Sequence, residues 1–404
     1  MPFYMNGNHG LAAASAAQKT VWNGRGASLA PQVRFDGLKR EAVDDGWTES
    51  KQAAIAAGDV PLAPPTTVTV QLAKSIISRN DSPDLPFSQS INPYYGCEHG
   101  CSYCYARPSY AYWGLSPGLD FETKLFAKPN AAELLRKELS RPGYQCSAIS
   151  LGANTDPYQP AEREWKITRS ILEVCSEFNQ PVGIVTKNAL VERDIGILAA
   201  MAQKGLAKVF ISCASLDAVL ARKLEPRASA PYRRIETIKR LAEAGIPVGV
   251  ISAPVIPMIN DSGLEAALTA AHQAGATEAN YVLIRLAHEL KELFKDWLAT
   301  HFPERAEHVM SLIRQSRGGR ENDPRFGHRM KGEGAFADLI ALRFKNTCKR
   351  LGLHERRLDG QMMDERGLSE RRYRLDTSKF CVPKNLSGGT AKNGSGSGPQ
   401  LQLF

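Results

Sequence analysis

The chain has 404 residues, 43% of them hydrophobic, a length that suits one large domain with extensions or two smaller ones and can bury a full-size core. Lys and Arg number 51 against 42 Asp and Glu, a formal charge of +9, and the eight cysteines (three in one loop; Cys146, Cys175, Cys213, Cys348 and Cys381 scattered singly) argue against a disulfide framework and for a reducing compartment. No apolar run nears the ~18 residues of a membrane span, and the Leu11–Ala17 stretch lacks the basic flank of a secretion signal, so a cytoplasmic protein with no membrane partner is expected.

Residues 1–86, rich in Ala, Gly and Pro, read as an arm: Pro61, Pro64 and Pro65 favour extended backbone, with one short helical pattern near Thr48–Ala57. From Ser88 a regular alternation begins. A short strand runs into the cysteine loop, and strands follow at Ser147–Gly152, Val182–Thr186, Lys208–Cys213, Val248–Val255 and Asn280–Leu286. Helical patterns lie between them at Glu162–Phe178, Arg193–Lys204, Ala230–Ala244 and Gly263–Gln273, with Gly205, Gly245 and Gly275 where helix C-caps belong. Six strands joined by helical crossovers demand a parallel sheet with right-handed connections. The predicted fold class is therefore α/β, a partial (β/α)6 TIM-like barrel over residues 87–286, with ligand-binding residues at the C-terminal strand ends. Residues 287–385 read as a mostly helical, basic extension (Glu289–His301, Arg305–Arg317, Phe336–Leu351) covering the open side, and 386–404 as a flexible tail with a Gly/Ser linker over 387–399.

The chemistry concentrates between Asn92 and Tyr105, where Cys97, Cys101 and Cys104 are spaced so that one loop can wrap a metal centre. An ordinary Fe–S cluster takes four cysteine ligands and structural zinc a closed tetrahedron of Cys and His, so three thiolates leave one position open for chemistry. His99, inside the loop, would instead complete a Cys3His zinc site, and that alternative stays open here. Tyr103 and Tyr105 supply apolar shielding, and Gly96 and Gly100 permit the tight turn. The pattern Cys-x-x-x-Cys-x-aromatic-Cys resembles the radical S-adenosylmethionine (SAM) superfamily. The resemblance implies a [4Fe–4S] cluster on these cysteines, SAM bound through its amino and carboxylate groups to the fourth iron, and reductive cleavage to a 5′-deoxyadenosyl radical. It also implies an external electron donor such as flavodoxin or ferredoxin.

The second strand ends in a polar turn, Gly152 to Pro160, containing Thr155, Asp156 and Tyr158; the third ends in Thr186, Lys187 and Asn188, the fourth in Ser212. These ends resemble the spore photoproduct lyase branch of the superfamily, often described as DNA repair photolyase-like. By that similarity Thr155, Lys187 and Ser212 contact SAM, with Asp156 and, in the Leu224–Ala228 stretch after the fourth strand, Arg227 as further cofactor-binding candidates. Residue by residue, a helix-capping role for Thr155 and Ser212 and a surface turn for Arg227 are the alternatives. Arg285, near the end of the sixth strand, could likewise point into the barrel mouth. One departure matters: the lyase has a hydrogen-donating cysteine at the end of its second strand, and alignment on Asp156 puts Ala153 there. Cys146 lies at the opposite end of that strand, about 20 Å away if the strand is straight. Reversal of the thymine photoproduct is therefore doubtful, which leaves another lesion or a tyrosine donor such as Tyr158, the catalytic candidate.

Residues 314–350 hold ten Lys and Arg against four acids, with Phe326, Phe336 and Phe344 interleaved. Arg317, Arg320, Arg325, Arg329 and Lys331 make a candidate nucleic-acid face, phosphate contact combined with base stacking, although such a run also suits a plain solvated surface. The chain stops at Gln400, Leu401, Gln402, Leu403 and Phe404, which resembles the peptide that binds the bacterial sliding clamp; docking on the chain's own barrel is the alternative. A tether of about a dozen residues would span roughly 20 Å. The expected function is a radical SAM [4Fe–4S] enzyme that generates a 5′-deoxyadenosyl radical and acts on DNA or other nucleic acid, with lyase-like repair of a DNA lesion as the reaction. A radical SAM enzyme modifying RNA or a peptide, and a non-enzymatic metal-stabilised nucleic-acid binder, are the alternatives.

Overall fold

The structure, a computed structural model, describes residues 22, 24–31, 33–35, 64–355 and 375–384. The helical pattern near Thr48–Ala57, the Gly/Ser linker and Gln400–Phe404 lie outside the described residues.

Eleven strands are described: β1 (Thr67–Val70), β2 (Ile77–Arg79), β3 (Gln89–Ile91), β4 (Tyr94–Tyr95), β5 (Lys124–Ala127), β6 (Ile149–Leu151), β7 (Val182–Thr186), β8 (Ala207–Ser212), β9 (Val248–Val255), β10 (Glu278–Leu283) and β11 (His354–Glu355). The main sheet runs in the order β11-β10-β9-β8-β7-β6-β3-β2. From β3 to β10 every pairing is parallel, each strand being followed by a helical crossover, and only β2 joins antiparallel. This is the partial barrel the alternation demanded, and its six parallel strands fall within a few residues of the predicted ones. Parallel strands are covered on both faces. The apolar runs of β8 and β9 meet that condition, with Val209, Ile211, Val248 and Val250 in the main core. Gly205, Gly245 and Gly275 turn the chain at φ 74°, 75° and 103°, a left-handed geometry that glycine adopts without steric cost.

The crossover predicted as one helix over Glu162–Phe178 is broken at Lys166 (φ 51°) into Glu162–Trp165 and Ile167–Glu177. The buried Glu162 carboxylate accepts the amides of Thr168 (3.0 Å) and Arg169 (3.3 Å), satisfying the open N-terminus of the second piece. The proline-rich arm is more than an arm, since it supplies β1 and β2. β1 pairs with β5, and β5 with β4, in a small sheet beside the cysteine loop. Helices Asp120–Thr123, Ala131–Leu139 and Ala218–Leu224 lie where the sequence showed no helical pattern, the last capped by Asp217.

Beyond β10, helices Leu290–His301 and Ala306–Gln315 build a second core from Leu290, Phe294, Trp297, Val309 and Ile313, joined by Leu224, Ile256 and, from the loop, Cys101 and Tyr103. Helix Ala335–Leu351 packs Ile340 and Phe344 into the main core and leads to β11 on the β10 edge. The register sets Thr186 beside Ile211 and Ser212 beside Ile251, so the C-terminal strand ends line one mouth of the barrel.

Candidate active site

The cysteine loop leaves β4 and is held from several sides. Cys97 packs with Ala106, Tyr110 and Phe121, Cys101 belongs to the second core, and Cys104 touches both clusters. Gly96 and Gly100 sit at φ 75° and 66°, and a Cβ on Gly96 would run into the Tyr110 hydroxyl and the Phe121 carbonyl. The fully buried Arg107 donates to the Cys101 carbonyl (2.8 Å) and to the carbonyls of Pro117 and Gly118, and pairs with the equally buried Glu122. Glu122 in turn accepts the amide of Gly26 (3.0 Å), whose backbone lies so close to Gly100 that no side chain would fit. Gln159 holds the loop from the other side, accepting from the Glu98 amide (2.9 Å) and donating to the Gly96 carbonyl (3.1 Å). Such a brace fixes ligand positions before a metal arrives.

His99 is occupied. Its Nδ1 faces Asp156 Oδ2 at 3.3 Å and its Nε2 pairs with Asn188 Nδ2 at 3.1 Å, so neither ring nitrogen is free to complete a Cys3His zinc site. With His99 engaged elsewhere, three thiols in one loop have the donor chemistry of a cluster with one open iron. Burial pushes the Cys101 thiol up to about 12, with Lys187 opposing, and Cys97 well above the thiol range, so a metal bound there would have to displace their protons.

Asp156 ties three elements together. It accepts from the Thr186 hydroxyl (2.7 Å) and the amides of Lys187 (2.8 Å) and Tyr158 (2.9 Å) and faces His99. Burial works against its charge, and His99, Thr186 and the Lys187 amide more than offset this, holding the carboxyl at about 2. Lys187 stays cationic: burial lowers its value, but the neighbouring Cys101, Glu225 and Asp156 raise it more. Its Nζ lies 5.9 Å from the centre of the Tyr103 ring. The hydroxyls of Thr155 and Ser212, both buried, donate to the carbonyls of Tyr94 (3.2 Å) and Ala253 (3.5 Å), leaving their oxygens as acceptors.

The stretch after β8 docks directly on the loop. Glu225 accepts from the Tyr103 hydroxyl and pairs with Arg234, which also donates to the carbonyls of Ser212 (2.9 Å) and Ser229 (2.7 Å). Burial raises the Glu225 carboxyl, and Arg234 and Lys187 bring it below its ordinary value. The Arg227 amide donates to the His99 carbonyl (3.2 Å) while its guanidinium pairs with Glu98 (3.1 Å), so Arg227 braces the loop. The acid two residues before Arg227 is the deeper contact; the sequence drew attention to the stretch for its arginines. Arg107, Glu122 and Gln159 carried no sequence pattern at all, because their partners lie in other segments.

Two candidates are corrected. Tyr158 is fully buried in the main core with its hydroxyl on Asp194 (3.1 Å), which Arg169 and Arg193 also hold, so it faces the helical layer. The tyrosine at the second strand end is Tyr105, 53% exposed, whose hydroxyl donates to the Ala153 carbonyl. Arg317 is only 2% exposed and uses both terminal nitrogens on the carbonyls of His328, Arg329, Leu283 and Ile284, so it presents no fork to a phosphate. Of the remaining basic candidates, Arg325 is bound to Asp323 and Glu333, Arg329 to Asp84 and Ser82, Lys331 lies over the rings of Tyr281 and Phe344, and Arg320 is exposed. Arg329 is thus neutralised by an acid distant in sequence, and Arg325 by acids two and eight residues away.

A parallel partial barrel with three cysteines in a braced loop at its mouth defines a class of cluster-dependent enzyme. The pattern of the Radical SAM superfamily matches residues 91–271. The chain is 36% identical over 247 residues to the uncharacterized protein Rv2578c of Mycobacterium tuberculosis, covering 60% of this chain and 73% of that protein. It is 28% identical over 176 residues to the uncharacterized protein MJ0683 of Methanocaldococcus jannaschii, covering 42% and 61%. Among solved structures it is similar to spore photoproduct lyase complexed with dinucleoside spore photoproduct, at TM-score 0.51, 14% identity and coverage of 76% of this chain and 92% of that one. A mutant of that lyase with bound AdoMet and the same photoproduct gives TM-score 0.52 at 15% identity, with 76% and 93% covered. The chain belongs to the radical SAM superfamily, and it is an enzyme that uses a [4Fe–4S] cluster, SAM and an electron donor. Among the described residues no helix is long and apolar enough to cross a membrane.

Proposed function

We propose that this enzyme acts on nucleic acid, with lyase-like repair of a DNA lesion as its reaction. In this reading Cys97, Cys101 and Cys104 hold the cluster, which supplies the electron for reductive cleavage of SAM. Lys187 offers the cofactor a cationic donor, and the oxygens of Thr155 and Ser212 accept from its hydroxyl or amino groups. Asp156 and Arg227 act indirectly, by fixing the loop and the β7 end. The observation that carries the substrate reading is the placement of the basic segment: through Arg317 it is fastened to the Leu283 and Ile284 carbonyls at the mouth end of β10. There it presents exposed Arg320 and Phe326, with Arg325 exposed but paired with Asp323 and Glu333. The lyase solved with a dinucleoside photoproduct shares this fold.

Alignment on Asp156 puts Ala153 where the lyase branch has its hydrogen-donating cysteine, so we expect a lesion other than the thymine photoproduct, with Tyr105, whose hydroxyl donates to the Ala153 carbonyl, as the aromatic hydroxyl at that position. A cytoplasmic setting with a donor of the flavodoxin or ferredoxin type, and recruitment to the bacterial sliding clamp through Gln400, Leu401, Leu403 and Phe404, complete the proposal. The test is anaerobic: reconstituted protein should release 5′-deoxyadenosine, and release should rise with irradiated over undamaged DNA. DNA binding should fall steeply as salt is raised, and a Gln400–Phe404 peptide should bind the clamp. Binding without a salt slope, and equal release with and without DNA, would move the reading to a peptide substrate.

A further inference from the structure

Arg285 lies two residues beyond β10, and among the described residues no carboxylate hydrogen-bonds to its guanidinium. Its Nε is buried with no hydrogen-bond partner, and its Nη1 reaches only the Met330 sulfur at 3.6 Å, a weak acceptor. The acid whose charge reaches it, Asp84, is taken by Arg329 and the Gly327 amide (2.7 Å). Arg317, packed close enough for the two guanidinium charges to repel, is spent on backbone carbonyls, two of which (Leu283 and Ile284) lead directly into Arg285. The β10 end is pinned further by the Leu283 amide on the Met330 carbonyl (2.9 Å). A rigid frame therefore holds a partly desolvated cation whose neighbours add positive charge. Such an arrangement destabilises the chain unless an anion completes it.

We propose that the Arg285 guanidinium receives one phosphodiester of the substrate at the barrel mouth, an assignment that rests on the nucleic-acid reading above. The planar fork matches two phosphate oxygens. One phosphodiester supplies the negative charge that Arg285 itself lacks. Two exposed rings belong to the surrounding segments: Tyr105, whose hydroxyl donates to the Ala153 carbonyl, and Phe326, 57% exposed beneath the Arg329 guanidinium. A phosphodiester arrives with a stackable base on each side, which a free carboxylate does not. Tyr105 also follows Cys104 directly, so a phosphate on Arg285 would set the adjoining nucleotide beside the cysteine loop.

The experiment measures anaerobic binding of inorganic phosphate and of the dinucleotide thymidylyl-thymidine to the full-length, cluster-loaded protein with SAM present. Arg285→Ala should weaken both by about tenfold or more, the effect of losing a charged hydrogen bond. Arg285→Lys should restore only part, since an ammonium lacks the fork. Lys239→Ala, at the exposed face of helix Pro231–Glu243, should change nothing. Arg285→Gln, closer in volume, replaces the alanine variant if that one fails to fold. Equal binding by wild type and variant, no binding of either anion, or loss of SAM affinity with phosphate affinity kept would each overturn the assignment. If phosphate and dinucleotide bind through Arg285 while longer oligonucleotides show no salt slope, the anion site stands and the nucleic-acid reading falls.

Discussion

Glu225 shows how one buried charge can organise this site. It meets Arg234 with both side chains almost wholly enclosed and also accepts from Tyr103, inside the cysteine loop. Removing one partner of a buried pair strands the other, which costs about 3–5 kcal/mol. Glu225→Gln should therefore lower unfolding free energy in urea by that order. Asp156 makes a pH prediction. Its carboxyl is depressed from the ordinary 3.8 to about 2, so its stabilisation is complete above pH ~4 and is lost as pH falls toward 2. The contribution is about 2 kcal/mol, and Asp156→Asn should flatten the acid limb of a stability-versus-pH curve by that amount.

At the level of elements, the cysteine loop depends on glycine where a neighbour, and not only φ, forbids a side chain. Gly96 and Gly245 share φ 75°, but a Cβ on Gly245 meets open space, whereas one on Gly96 meets the Phe121 carbonyl at 2.9 Å as well as Tyr110. Gly245→Ala should cost about 1 kcal/mol and leave iron content unchanged. Gly96→Ala should cost more and also reduce the iron bound per chain after anaerobic reconstitution, because the loop must shift away from Phe121. Iron retention equal to wild type in Gly96→Ala would show that the loop tolerates the displacement.

On the scale of the whole molecule, the barrel mouth gathers the loop, the strand ends and the extension into one place. Cys101→Ala should lose most of the iron and the 5′-deoxyadenosine it supports, while Lys187→Ala should keep the iron and weaken SAM binding by roughly tenfold or more, the worth of a charged hydrogen bond. Retained SAM affinity in Lys187→Ala would remove that residue from the cofactor site. Unchanged iron in Cys101→Ala would remove the loop from the metal centre.

The sequence alone determined the parallel barrel and the cysteine loop, because both are written in local order: apolar runs alternating with helical patterns set the strands, and three thiols within eight residues set the loop. It also marked Lys187, Thr155 and Ser212 by placing them at strand ends. What it could not show is which polar groups are used up. Arg317 looked like a phosphate contact until its four backbone carbonyls were in place, Tyr158 looked like a mouth residue until Asp194 turned it outward, and Arg329 looked free until Asp84 arrived from a segment more than 200 residues away. The β1 and β2 strands, too, exist only because β5 and β3 offer them an edge. Charge is a property of the residue, but its availability depends on partners that only the tertiary structure brings within hydrogen-bonding distance.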